Sequence, residues 1–339
     1  METRKSILLG VLFSGLACLF GMPSCTHLPD EEQTRAALEK KGGMVMTLET
    51  DMPEDAAQIG AILQTRLDRF GAKKAFVKVS DENQIIALIP NVQEPERIRQ
   101  LLQAEGRLEF WETYELYELL SYLKQINRAL PTLPLDETIE NIRVAEYKQQ
   151  NPLFGLLNAY ITPDGQAMSG PAVGVVHYTD TARVMEMLTC EVAKQVLPPA
   201  VRFKWTVRPT DEEERLYTLV ALKAMRDGSA TLRGDVITEA KVAHNKWSPE
   251  PVIDITMNKE GTRCWRYMTM ENIGKSIGIV VDGRLYSYPR VMCEIDGGKS
   301  QITGNFTEEE AADLANMLNS GVLPHPVRII EEQMIEPNK

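Results

Sequence analysis

The segment NIGKSIGIVVDGRLYSYPRVMCEIDGGKSQITGNFTEEEAADLANMLNSGVLPHPVRII, Asn272 to Ile330, carries nearly every punctuation mark that a folded unit needs. Residues 277–281 are rich in β-branched side chains, Asp282-Gly283 is a two-residue turn in which both positions want positive φ, and residues 285–289 return as the partner strand. That pattern is a hairpin. After residues 291–295, Asp296-Gly297-Gly298 turns the chain again, so that residues 301–303 are expected to pair back on them. The period then changes from two to 3.6. Thr307 stands as N-cap with Glu310 three residues on, a capping box, and Ala311, Leu314, Ala315 and Leu318 form one apolar stripe. Gly321 ends this helix, Pro324 and Pro326 prevent its resumption, and a last strand is expected over residues 327–331.

Working outward, residues 44–49 alternate as a strand, and Ile59, Ile62, Leu63, Leu67 and Phe70 recur at helical spacing until Gly71. Residues 76–79 and 85–89 read as two strands, Pro95 opens a helix carrying Ile98, Leu101 and Leu102, and residues 107–111 read as a further strand. Together these spell β-α-β-β-α-β, a split unit with two helices on one face of an antiparallel sheet. The helix and strand of residues 307–331 have no other sheet to join and are expected to complete this layer. The fold class is therefore α+β: a ferredoxin-like base into which an α+β head is inserted. The expected divisions are a targeting segment at 1–24, a tether at 25–42, base at 43–114, head at 115–304 and base again at 305–335.

Within the head, helices are expected over 116–130, 138–150 and from Thr179 or Asp180 to 197, with loops over 151–169. Strands are expected over 173–178, 201–207, 216–223, 235–243 and 252–257, followed by a helix over 260–269. A hinge is expected where the chain crosses between base and head, near Glu115 and near Gly304 and Asn305.

The chain has 339 residues, 43% hydrophobic and 25% charged, ordinary values for a globular protein with a sizeable core. Its formal charge is −11; residues 1–24 carry a net +1, so a chain cut after Ser24 would sit at −12. That balance disfavours nucleic acid and anionic lipid surfaces, which it would repel at long range. Arg4 and Lys5 precede an uncharged apolar run over residues 7–22, the pattern of a signal peptide. Cys25 after Met22-Pro23-Ser24 resembles a relaxed lipoprotein processing site, with Cys18 after Gly15-Leu16-Ala17 as the rival, and retention of the run as an uncleaved anchor is the other reading. Acylation of Cys25 would tie the chain to a membrane.

Beyond Cys25 stand Cys190, Cys264 and Cys293, an odd count with no C-x-x-C pair; buried thiols are preferred over a bridge between Cys264 and Cys293. Gly274-Lys275-Ser276 resembles the end of a phosphate loop, but Thr269 stands where the first glycine belongs, and a strand follows where that loop needs a helix. The four histidines are scattered singly, and no G-x-S-x-G elbow is present. No cofactor, metal or catalytic residue is expected, and the chain reads as a non-enzyme. Trp205, Trp247, Trp265 and Tyr288, with Met257, Met268, Met270 and Met292, could form an adaptable apolar surface for unfolded chains, although most suit a core. Trp247, Tyr288 and Met292 are the expected polypeptide-binding residues.

The stretch ENIGKSIGIVVDGRLYSYP followed by GGKSQITGNFTEEEAADLANMLNSGVLPHPVRIIEE resembles the first large periplasmic domain of the SecD family. GGMVMTLE (42–49), TRLDRFGAKKAFVKV (65–79) and NQIIALIPNVQEPERIRQLLQAEGRLEFWE (83–112) resemble the matching blocks in the same order. The resemblance implies a base near the membrane and a head that contacts polypeptide emerging from the translocon. It implies as partners unfolded or exported polypeptide, a SecYEG or SecDF translocon, and a membrane through the N-terminal anchor, with no nucleic acid. It implies a place in the cell envelope, on the periplasmic side of the inner membrane or on the outer membrane. In that family the head swings with proton flow through transmembrane helices; this chain has no second long apolar run, so no proton-driven activity of its own is expected. The alternative is a structural or interaction lipoprotein that kept the fold and not the export role.

Overall fold

The computed structural model describes residues 31–132, 139, 141–244 and 249–338. The first part runs α1 (Glu31–Lys41), β1 (Gly43–Thr50), α2 (Ala56–Phe70), β2 (Phe76–Val79), β3 (Ile85–Pro90), α3 (Pro95–Gln103) and β4 (Leu108–Thr113). The middle runs α4 (Leu116–Ala129), α5 (Ile142–Gln150), β5 (Asn158–Ala159), β6 (Ala172–His177), α6 (Thr181–Thr189), α7 (Glu191–Val196), β7 (Val201–Trp205) and β8 (Leu216–Lys223). The last part runs β9 (Leu232–Arg233), β10 (Ile237–His244), β11 (Pro251–Met257), α8 (Lys259–Glu271), β12 (Ile277–Val281), β13 (Arg284–Ser287), β14 (Lys299–Ile302), α9 (Glu308–Ser320) and β15 (Val327–Ile335).

The base is an antiparallel sheet in the order β15-β1-β3-β2, the order of a ferredoxin-like unit. Met44, Met46 and Leu48 from β1 alternate onto the face covered by Ile59, Leu63 and Leu67 of α2, and all six are fully buried. Burying each such side chain contributes ~1.5–3 kcal/mol, more than an exposed ion pair at ~0–1 kcal/mol. This apolar layer therefore holds the base together. Gly71 closes α2 with φ 86, in the left-handed region that glycine occupies without cost.

Two expectations about the base are corrected. β4, read as its closing strand, pairs instead with β12, from Leu108↔Val281 to Glu112↔Ile277, so this strand belongs to the head. Its seat beside β1 is taken by β15, which pairs from Gly43↔Ile335 to Thr50↔Val327. The longer ladder wins that edge, and the apolar face of Leu108 and Phe110 finds a fully buried partner in residues 277–281. The stretch read as a polar tether contains α1. Buried Thr34 and Leu38 lie one turn apart and dock it, while Glu31 and Glu32 at its start and Lys40 and Lys41 at its end suit the helix dipole.

The head is built on a larger sheet in the order β13-β12-β4-β8-β6-β5, with β7 on β8 and β9 on β4, and a smaller one in the order β10-β11-β14. The Asp282-Gly283 hairpin forms with φ 47 and 75. β14 pairs with β11 rather than with residues 291–295, because Ile253 and Ile255 offer it a buried apolar face. The helix expected to end at 197 breaks at Cys190, whose extended backbone separates α6 from α7. Thr307 caps α9 in a reciprocal box with Glu310. One side of α9 buries Ala311, Leu314 and Ala315 in the core shared by β4, β11 and β12, where Phe110 and Trp265 pack with ring centroids 4.8 Å apart. Its other side meets α2, where the Asn316 side-chain amide donates to the Arg66 carbonyl at 2.9 Å.

Candidate functional site

Two places in this architecture carry more than packing. The first is the junction at which the chain leaves the base after α3 and returns to it after α9. Arg66 on α2 is fully buried there. Its guanidinium donates to the carbonyls of Leu101 at 3.0 Å, Glu105 at 3.0 Å and Gly321 at 3.2 Å, and to that of Ala104. One side chain thus holds both crossings, and only its Nε lacks a partner among the described residues. Burial pushes its pKa down to about 10 against the opposing pull of Asp282, so the group is charged at neutral pH.

Asp282, at the tip of the β12–β13 hairpin, accepts from the backbone N–H of Arg107 at 2.7 Å and of Gly106 at 3.2 Å. Leu323 donates from its backbone to the Glu105 carbonyl at 2.9 Å, tying the two crossings to each other. Gly106 has φ 78, and a Cβ there would stand 2.9 Å from the Arg66 Nη2. Arg97 on α3 grips Asp313 of α9 through two bonds of 2.7 and 2.9 Å and lies 4.9 Å over the Phe70 ring. The junction is a polar weld inside an apolar layer.

The second place is a groove on the head along β7. Two cavities of about 480 and 460 Å³ meet there and share Met185, Phe203 and Lys204. Tyr178, Trp205 and Tyr217 give the groove an aromatic wall, and Arg202, Lys204 and Arg284 give it positive charge, with no carboxylate among the lining residues and with Lys194 at one end paired to Glu191 at 2.7 Å. β7 pairs with β8 in the register Val201↔Lys223 to Trp205↔Leu219. Ala224 donates to the Ala200 carbonyl and Thr206 to the Thr218 carbonyl, so the even positions face β8. The backbone N–H and C=O of Phe203 and Trp205 consequently point away from it. From the Trp205 carbonyl onward that side is taken up by β13, through a parallel bridge at Thr206↔Leu285 and the Val207 N–H, which donates to the Leu285 carbonyl at 2.9 Å. No strand pairs with that side from Val201 to Lys204 among the described residues.

The residues expected from sequence are not gathered at either place. Glu115 is the buried N-cap of α4, accepts from the Gly170 N–H at 2.7 Å, and is locked within the head. Gly304 precedes Phe306, whose ring a Cβ would touch at 2.8 Å. Asn305 has φ 50, and its carbonyl accepts from Arg208. None of the three lies at the crossings that Arg66 holds. Tyr288 is half-buried against Trp111, Val280 and Leu285, where burial raises its pKa. Met292 is 80% exposed, whereas Trp265, Met257 and Met268 are core residues. Cys25 and Trp247 lie outside the described residues. Cys190, Cys264 and Cys293 are free thiols. Among the described residues no group of metal-ligating side chains is present, and no helix is long and apolar enough to cross a membrane.

A family model described as the SecDF P1 head subdomain matches residues 211–325, and one described as the N-terminal part of the P1 domain of protein translocase subunit SecDF matches residues 56–115. The protein translocase subunit SecD of Rhodothermus marinus is 33% identical over 294 residues, covering 82% of this chain and 46% of that protein. The SecD of Syntrophobacter fumaroxidans is 25% identical over 340 residues, covering 93% of this chain and 62% of that protein. The crystal structure of SecDF in its super-membrane-facing form shares the fold with a TM-score of 0.50 and 19% identity, over 88% of this chain and 31% of that one. The chain spans about half the length of the curated relatives it matches. β7 falls between the two stretches that the family models cover.

Proposed function

Since this chain belongs to the SecD family, we propose that it serves protein export by holding an extended, unfolded stretch of exported polypeptide against the open edge of β7. The observation that carries this reading is the coincidence of outward-facing, unpaired backbone around Phe203 with an aromatic groove beside it. Backbone pairing at a sheet edge supplies affinity for any sequence, and flat aromatic side chains accept many apolar ones. The cations around the groove favour clients that carry acidic residues beside their apolar ones. The surface expected around Trp247, Tyr288 and Met292 gives way in this proposal to one centred on Trp205. Lipid attachment through Cys25, a place on the periplasmic side of the cell envelope and docking on a Sec translocon complete it. Any swing of the head would turn about Gly106 and Gly321, with Arg66 between them, and head-to-base geometry that stays fixed in solution scattering with and without client would end that part.

The position of β7 between the two matched stretches favours one rival, a module that kept the fold and binds something other than export clients. Photocrosslinking in cells separates the two. A photoreactive residue at Trp205 should trap exported chains or a translocon component, while one at Ile330 on β15 should trap neither. Recovery of neither from the Trp205 position would overturn the export reading.

A further inference from the structure

We propose that the cavity beside α1 is a binding site for the phosphate headgroup of an anionic phospholipid. This cavity, about 770 Å³, opens between α1, the end of α2 and the residues that follow β3. Its wall is apolar where Ala36, Ala37, Phe70, Pro90, Val92 and Ile98 meet. Its rim carries Lys40, Lys41, Lys73 and Lys74, and none of the four is ion-paired among the described residues. Glu94 is the one carboxylate in the lining, and Arg97 already holds it at 3.2 Å. An apolar wall under a cationic rim is the shape of an amphiphile with a negative head.

Lys40 and Lys41 alone would be explained by the dipole of α1, whose last turn they occupy. Lys73 and Lys74 come from a separate loop, and that loop is fixed. Lys74 holds φ 66, a conformation uncommon for a lysine, and its carbonyl accepts from the buried Thr34 hydroxyl of α1 at 2.9 Å. One half-buried hydrogen bond therefore ties the loop that carries one lysine pair to the helix that carries the other.

The overall charge of −11 does not argue against this. At physiological ionic strength charges separated by more than about 8 Å are largely screened, so a headgroup inside the cavity responds to the four lysines around it. The occupant is a lipid rather than a free phosphate because the apolar wall would be wasted on an inorganic ion, and because of where the membrane anchor lies. On the reading that Cys25 is acylated, only residues 26–30 separate the lipid from α1, at most about 18 Å of extended chain, so that anchor keeps the cavity close to headgroups.

The test titrates the full chain, held in a nonionic detergent, with dihexanoyl phosphatidylglycerol, dihexanoyl phosphatidylcholine and inorganic phosphate, read by calorimetry. Saturable binding of the glycerol lipid, at least tenfold tighter than the choline lipid or phosphate, is expected. K73Q/K74Q and K40Q/K41Q double variants should each lose at least tenfold, and Ala37→Trp, which fills the cavity and leaves its charge, should lose as much; melting by circular dichroism checks that each variant is folded. Equal binding of the two lipids, equal binding of phosphate, or undiminished binding by folded variants would each overturn the proposal.

Discussion

Around Arg66 four backbone carbonyls from both crossings converge on one buried cation, whereas along β7 the backbone of Phe203 is left facing away from its own sheet. Both places hold strong hydrogen-bonding groups. They differ in whether the fold itself supplies the partners. At the junction it does, so the groups spend their bonding on geometry, fixing where the head sits on the base. On the groove it does not, and groups that only water satisfies are free to pair with an extended chain laid along the edge. A binding edge needs a firm mount, because a strand can only be captured where donors and acceptors hold their spacing.

Replacing Arg66 should separate the two regions most sharply. Arg66→Met keeps much of the side-chain volume and strips a donor from the Leu101, Ala104, Glu105 and Gly321 carbonyls, so a loss of ~3–5 kcal/mol in urea unfolding is expected. A loss below ~1 kcal/mol would mean that the weld is ornamental. Trp205→Ala should do the reverse. It removes the widest flat surface of the groove, so affinity for an acidic, apolar unfolded peptide should fall about 10–30-fold by fluorescence anisotropy, while the loss in urea unfolding, from a ring half-buried against the head core, should stay below that of Arg66→Met. Unchanged affinity in that variant would move the binding surface elsewhere.

How far the sequence foretold these two regions depends on which forces are local. The alternation at Met44, Met46 and Leu48 and the helical stripe at Ile59, Leu63 and Leu67 each declare one buried face, and the base forms as those periods require. β4 was misplaced because LEFWET suits either sheet; its partner is chosen by residues 277–281, far along the chain, and its expected seat by β15. The capping box at Thr307 and the Asp282-Gly283 turn were legible, but not that the same Asp282 would accept from the base crossing. Arg66 left a signal that went unread: it lies in phase with Ile59, Leu63, Leu67 and Phe70, a cation on the apolar stripe of an amphipathic helix. Trp205 was named among the aromatic candidates, yet the open edge beside it exists only once β8 has chosen its partners.

The capping box extends the comparison to a site where backbone donors are satisfied at the surface. Thr307→Ala should cost ~1 kcal/mol, well short of Arg66→Met, because water reaches the exposed N–H of Glu310 and replaces part of what the hydroxyl gave. A cost matching that of Arg66 would show that burial is not what makes the junction strong.

The smallest effect isolates charge from burial within the base. Arg99 on α3 donates two bonds of 2.6 Å each to Glu332 on β15, a geometry as good as that at the junction, but in contact with water. Arg99 holds the Glu332 carboxyl below its ordinary value of 4.5. A carboxyl whose folded pKa is depressed stabilises the fold fully above the unfolded value and loses that stabilisation as pH falls through the folded one. The urea midpoint of Glu332→Gln should therefore lie slightly below that of the unsubstituted chain at pH 7, and the gap should close as pH drops below 4.5. A gap independent of pH would assign the difference to packing of the side chain. Solvent screening keeps the gap small however ideal the bonds, which is why two salt-bridging oxygens on β15 count for less than four carbonyls sealed around Arg66.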